Sequence, residues 1–184
     1  MILPIIAYGD PVLKKVGTAI DKSYPKLKDL IANMFETMYN AHGVGLAAPQ
    51  IGLSIRLFVV DGAPFEEEEV KDFKMVFINP IITHEEGDFW SFNEGCLSIP
   101  EVREDIERPR IVHINFYDEN FKYHENVVFS GLAARIIQHE YDHIQGTLFT
   151  DHLSALRKRL LKKRLTDISK GKVDISYRMR FPLK

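Results

Sequence analysis

Apolar residues at Leu27, Leu30, Ile31, Met34 and Met38 recur at steps of three, one, three and four, which is one face of a helix. Pro25 suits the first turn of that helix and Gly43 ends it. A second stripe, Leu132, Ile136, His139 and His143, predicts another helix, with Ser130 as its N-cap and Gly146 as its stop. Between the two helices the period falls to two. Ile55–Asp61, Met75–Thr83, Glu101–Glu107, Val112–Tyr117 and Tyr123–Phe129 read as strands. Val112, Ile114 and Phe116 alternate with His113, Asn115 and Tyr117, as a half-buried antiparallel strand does, and this puts His113 on the exposed phase. Near the N-terminus, Asp10 is set to cap a short helical turn through Leu13. Helix, several strands, helix and a basic tail is the order of an α+β fold with helices packed on antiparallel sheet.

At 184 residues the chain is long enough for a core of its own. It has no internal repeat and no linker-like tract, so one domain over 1–184 is expected. Hydrophobic content of 45% with 27% charged residues describes an ordinary soluble globular protein. A net charge of −2 argues against general nucleic-acid affinity, and no DNA partner is expected. No apolar run approaches the roughly 18 residues of a membrane span, so no membrane partner is expected either. The first residues reach Pro4 at once and show neither a secretory signal nor an Arg-rich transit peptide. Cys96 is the single cysteine, which fits a reducing cytoplasm and makes it either buried ballast or chemistry. The run Glu66–Glu69 reads as a solvated, mobile excursion without chemistry.

Chemistry enters at Gln138-His139-Glu140-Tyr141-Asp142-His143. On a helix, His139 and His143 point the same way one turn apart and can bite one metal ion, while Glu140 beside it handles a proton. The bland alternative is two surface histidines on an amphipathic helix. A catalytic metal takes about three protein ligands and keeps an open position. No glutamate follows Glu140, Phe149 stands where a third histidine is due, and His152 comes three residues late, so the usual protease patterns are not met. Upstream, Glu94-Gly95-Cys96-Leu97-Ser98-Ile99-Pro100 offers a thiolate to complete a Cys96, His139, His143 set. Its alternative is a buried structural cysteine. The block Gly43–Gly52 packs three glycines and a proline among small residues, as backbone in close quarters needs. It lacks the spacing of a phosphate loop, and its Gln50 is the one side chain able both to donate and to accept.

GVGLAAPQIG at 43–52, EGCLSIP at 94–100 and QHEYDH at 138–143 together resemble the three signature motifs of the peptide deformylase family, in order, and the similarity extends to Gly9–Leu13. The resemblance implies an α+β fold: antiparallel β-sheets packed around a central metal-binding helix, with an N-terminal and a C-terminal helix. It implies a single catalytic domain that removes the formyl group from the N-terminal formylmethionine of nascent bacterial proteins and releases formate. It implies one divalent metal ion on Cys96, His139 and His143, Fe(II) in the cell, with Zn, Ni or Co able to take the site. Glu140 is then the general base, and the Gln50 amide and the Leu97 backbone N–H hold the oxyanion. Gly43, Val44, Gly45, Leu132 and Ile136 are candidates for the methionine pocket, Leu132 and Ile136 reading equally well as core. Glu94 is placed to orient a neighbouring group. The basic segment at about 151–168, richest over Arg157–Arg164, reads as a solvated face or as a ribosome-facing surface, since a C-terminal helix docks there in some members. The acidic loop is longer than in the shorter members and bears on the cleft entrance. The rival readings are a metalloprotease and a non-catalytic metal-binding module; Gln50, Glu140 and all three ligands standing together speak against the second.

Overall fold

The computed structural model describes residues 1–182. The chain runs β1 (Ile5–Ile6), α1 (Leu27–Asn40), β2 (Gly45–Ala47), β3 (Leu57–Asp61), β4 (Lys74–Cys96), β5 (Ile99–Tyr117), β6 (Tyr123–Ser130), α2 (Gly131–Ile144), α3 (Ala155–Ser169) and β7 (Met179–Arg180). Short 3-10 turns at Pro11–Lys14, Ala48–Ile51, Ala63–Phe65 and Phe149–His152 punctuate it, and Asp10 caps the first by accepting from the Val12 N–H. Strands β2-β3-β4-β5-β6 form one antiparallel sheet, while β1 and β7 make a small parallel pair from the two chain ends.

The expected strands at Met75–Thr83, Glu101–Glu107 and Val112–Tyr117 are pieces of two much longer ones. β4 and β5 pair from Ile78↔Tyr117 to Cys96↔Ile99. Gly87-Asp88 and Pro109 look like breaks in the sequence, but the hairpin absorbs them at one register shift between Glu86 and Phe89. Gly87 takes φ +85° there, and Pro109 pairs with Phe89 beside the irregularity. A bulge is where a ladder tolerates a missing N–H and a left-handed residue.

Three clusters fill the interior. Ile31, Met34 and Met38 of α1 pack on Leu46, Leu57 and Val59, as the helical stripe predicts. Phe58, Phe77 and Phe116 stack across adjacent strands, with centroids 4.7 and 4.4 Å apart, and receive Ala134, Ile136 and Ile137 of α2. Leu165 and Ile168 of α3 close over Leu13, Ile99, Val102, Ile106 and Phe149. α2 therefore lies against β5, β2, β3 and β6. No described helix is long and apolar enough to cross a membrane.

The start of α2 departs from expectation. Ser130 occupies the N-cap but makes no side-chain cap bond. The Leu132 N–H instead donates to Glu69 Oε1 at 2.9 Å, reaching into the acidic loop, and Gly131 enters the helix at φ +57°. Val70, next to Glu69, is fully buried beneath Gly62. The acidic run is thus tied down at its end and satisfies one of the open N–H groups of the helix that carries His139. Glu69→Ala should lower unfolding free energy by about 1 kcal/mol in urea denaturation, while Glu66→Ala should stay within about 0.5 kcal/mol of the parent.

Candidate metal centre

Two elements meet at the site. α2 presents His139 and His143 one turn apart, their rings 5.2 Å centre to centre at 76°. Cys96 ends β4 and pairs with Ile99 across the two-residue turn Leu97-Ser98, so the longest hairpin of the sheet points its tip at that helix. One donor atom from each of Cys96, His139 and His143 lies within 4.8 Å of the others, and Cys96 Sγ is 3.3 Å from His143 Nε2. Burial pushes the Cys96 thiol up, but the adjacent His143 and His139 rings outweigh it and bring it down to about 5. Burial opposes charge on His139 as well, yet its bonds to Cys96 and Glu94 hold it well above its ordinary value. The two shifts are one coupling, the Cys96 thiolate and the His139 ring each favouring the charged form of the other. A thiolate and two imidazoles with converging lone pairs fit a divalent ion.

Glu94 organises the surroundings. Its Oε2 lies 2.9 Å from His139 Nδ1, which fixes the tautomer that leaves Nε2 free to ligate. Its Oε1 accepts from Arg108 Nε at 2.8 Å and Arg135 Nη1 at 2.9 Å, and Arg108 also reaches Asp142 at 2.8 Å. All three of Glu94, Arg108 and Arg135 are buried. Burial alone would raise the Glu94 carboxyl, but the bonds from His139 and Arg108 hold it well below the usual carboxylate range. Phe149, where a third histidine was sought, stacks on the His139 ring at 6.0 Å and 27°. His152 bonds to Asp142 at 2.7 Å and takes no part in the donor set.

Glu140 is buried beside the donors, and burial lifts its carboxyl to about 7 against the pull of His139 and His143. Its Oε2 has no hydrogen-bond partner among the described residues, and neither has His143 Nδ1. Gly45 lies flat against this carboxylate: a Cβ there would come within 2.6 Å of Glu140 Cδ. That contact is the physical content of the small-residue block. Gln50 follows in the same block, its Oε1 accepting from the Ala47 N–H at 2.8 Å. Its Nε2 is thereby turned toward Cys96 Sγ at 3.5 Å and Ser98 Oγ at 3.3 Å.

These groups open into a cleft of about 530 Å³, a size suited to a small side chain and adjoining backbone. Gly43, Val44, Gly45, Gln50, Cys96, Leu97, His139 and Glu140 all line it. Leu132 and Ile136 do not. Ile136 is in the core with Phe58 and Phe77, and Leu132 sits half-buried in the first turn of α2. Phe65, Phe92 and Arg135 are among the larger side chains that do line the cleft.

A family model described as polypeptide deformylase matches residues 2–159. The chain belongs to this family. It is 60% identical over 191 residues to a peptide deformylase of Christiangramia forsetii, covering 99% of this chain and 97% of the relative. It is 56% identical to that of Cytophaga hutchinsonii over the full length of both. Among solved structures, a peptide deformylase from Legionella pneumophila superposes with a TM-score of 0.81 at 37% identity, covering 94% of this chain and 98% of that one. One from Synechococcus elongatus, in complex with actinonin, gives 0.77 at 37% identity over 98% and 92%. The family's reaction, and this chain's, is the metal-dependent removal of the N-formyl group from nascent peptides.

Arg108 and Arg135 escape a motif-based reading of a deformylase site. A signal exists: Val102, Glu104, Ile106 and Arg108 share the buried phase of β5, so a charge at 108 sits where an apolar residue is due. A buried charge in that phase needs a buried partner. Glu94→Gln should weaken metal retention about 10- to 100-fold in chelator competition, because His139 loses its carboxylate partner.

Proposed function

We propose that Cys96, His139 and His143 hold one divalent ion, and that Glu140, Gln50 and Leu97 perform the hydrolysis around it within one catalytic domain over 1–184. The observation that carries the proposal is the convergence of the three donors next to a buried carboxylate with an unpartnered oxygen. The bound ion supplies Lewis acidity, making water a nucleophile near neutral pH. Glu140, poised near neutrality by burial, takes the proton of the attacking water and returns it to the departing amine. Gln50, its oxygen pinned by Ala47, offers its amide N–H to the formyl oxygen as charge develops there, and the Leu97 N–H offers a second donor. Each such donor contributes about 3–4 kcal/mol to the transition state. Gly43, Val44 and Gly45 bound the methionine side chain together with Phe92 and Arg135. A mixed thiolate and imidazole set suits Fe(II), which we assign to the enzyme in the cytoplasm, with Zn, Ni or Co as substitutes. With a formyl-Met peptide and Fe(II) under anaerobic conditions, formate should be released stoichiometrically. Glu140→Ala should lower the rate by about 10²–10⁴ with metal content retained. Cleavage of unformylated peptides without formate would replace this reading with an endopeptidase.

A second contact is proposed for α3. Its Ser154 cap accepts from the Arg157 N–H, and Arg157 and Arg164 pair with Glu104 and Glu101 of β5, which seats the helix. Arg159, Lys162 and Lys163 are exposed and hold no ion pair among the described residues. A solvated cationic face of this kind suits ribosomal RNA at the exit where nascent chains appear. Replacing Arg159, Lys162 and Lys163 together by Glu should abolish salt-sensitive ribosome co-sedimentation while formate release from a free peptide stays within twofold. Unchanged co-sedimentation would sink the contact.

A further inference from the structure

Beyond α3 the chain turns back at Gly171, φ +74°, and runs as a strap along the cleft, where Asp174, Ile175, Ser176 and Tyr177 form part of the wall. The strap ends in β7, registered against β1: the Ile5 N–H donates to the Arg178 carbonyl and the Ala7 N–H to the Arg180 carbonyl, each at 2.9 Å. Next along the N-terminal segment, the Tyr8 N–H donates to the Ser98 carbonyl at 2.8 Å. From the strap, the Tyr177 hydroxyl donates to the Leu97 carbonyl, also at 2.8 Å. Both carbonyls of the two-residue hairpin turn are therefore captured by the ends of the chain. The Leu97 N–H, by contrast, has no acceptor among the described residues.

We propose that Tyr177 is a positioning residue for deformylation, holding the Leu97 carbonyl so that the Leu97 N–H stays aimed at the formyl oxygen. The proposal rests on the reading of Leu97 as an oxyanion donor. Ladder pairing stops at Cys96↔Ile99, so the turn peptides beyond it keep their soft torsions unless something outside the hairpin holds them. Fixing the carbonyl on one side of the Leu97 Cα restricts the peptide on the other. A donor that must wait for charge to appear is effective only when already in place. The Tyr177 ring also packs against the cluster around α1, together with Met179, so the strap is anchored independently of the hydroxyl. The strap lies past residue 159, and its contribution to the site comes from this chain's own C-terminal segment.

Tyr177→Phe removes the hydroxyl and keeps the ring. On the metal-loaded enzyme, kcat for a formyl-Met peptide should fall about three- to tenfold, the scale of one hydrogen bond, with KM within twofold. Metal content should not move, and the thermal midpoint should fall by no more than about 4 °C, the scale of one lost hydrogen bond. In the zinc-loaded form, which is diamagnetic, the Leu97 amide should exchange with solvent faster and shift its NMR resonance. An unchanged kcat with an unmoved Leu97 amide overturns the proposal. A lower kcat with an unmoved Leu97 amide also overturns it, because the loss then arises elsewhere. A shifted Leu97 amide with unchanged kcat overturns it by a different route: the bond from Tyr177 stands, and Leu97 loses its role as oxyanion donor.

Discussion

A carboxylate almost wholly removed from water has to be answered by cations, and Glu94 is that carboxylate. An unpaired ion in such surroundings is too costly to persist. Here the partners come from both bodies of the fold: Arg108 from β5, and Arg135 and His139 from α2. The pairing consequently does more than neutralise charge. It locks the register of a long hairpin to the rotation of the helix lying across it, and it fixes the ring of His139, one of the three candidate metal donors. Cys96 lies two residues after Glu94 on the same strand, and both are buried. The strand that turns Glu94 toward α2 also sets Cys96 Sγ 3.3 Å from His143 Nε2.

The structure brings the three candidate donors together, and for the two histidines the signal in the sequence is short-range periodicity. Four-residue spacing on a helix brings His139 to His143 whatever surrounds them, and the apolar stripe correctly places α2 and α1. Small residues around Gly45 correctly announce a close approach, though only the structure names the Glu140 carboxylate as what approaches. What failed was long-range. Gly87-Asp88 and Pro109 mimic strand ends, because a bulge inside a long ladder uses the same residue types as a turn. Leu132 and Ile136 lie on the ligand stripe, but a stripe gives a direction and not a depth: Ile136 reaches the aromatic core before it reaches the cleft. Glu69 was unreadable for a related reason. A cap from a residue sixty-three positions away leaves no trace in the local pattern that identifies Ser130.

The same contrast explains the division of work around the cleft. The candidate metal donors, Cys96, His139 and His143, sit on a strand end and a helix, where backbone hydrogen bonds set their positions. Gln50 sits in a 3-10 turn, and its aim comes from one added bond, to the Ala47 N–H. Phe65 and Phe92 meet edge-on with centroids 6.0 Å apart, coupling the loop that carries Glu69 to the hairpin that carries Glu94. A single loop thus touches both the start of the metal helix and the wall of the cleft.

Hairpin tips are the weakest part of a ladder, since pairing ends there and the last peptides face outward. Cys96 and Leu97, at such a tip beside the cleft, inherit that softness. The remedy in this fold is to spend the two chain ends on it: β1 and β7 pair with each other, and from that pair Tyr8 and Tyr177 reach the Ser98 and Leu97 carbonyls. A parallel pair of two residues per strand contributes little stability by itself. Its value is geometric, because it ties two segments far apart in sequence into one brace directly behind the turn. The brace therefore acts on the turn through its two carbonyls and leaves the Leu97 N–H, which borders the cleft, with no acceptor among the described residues.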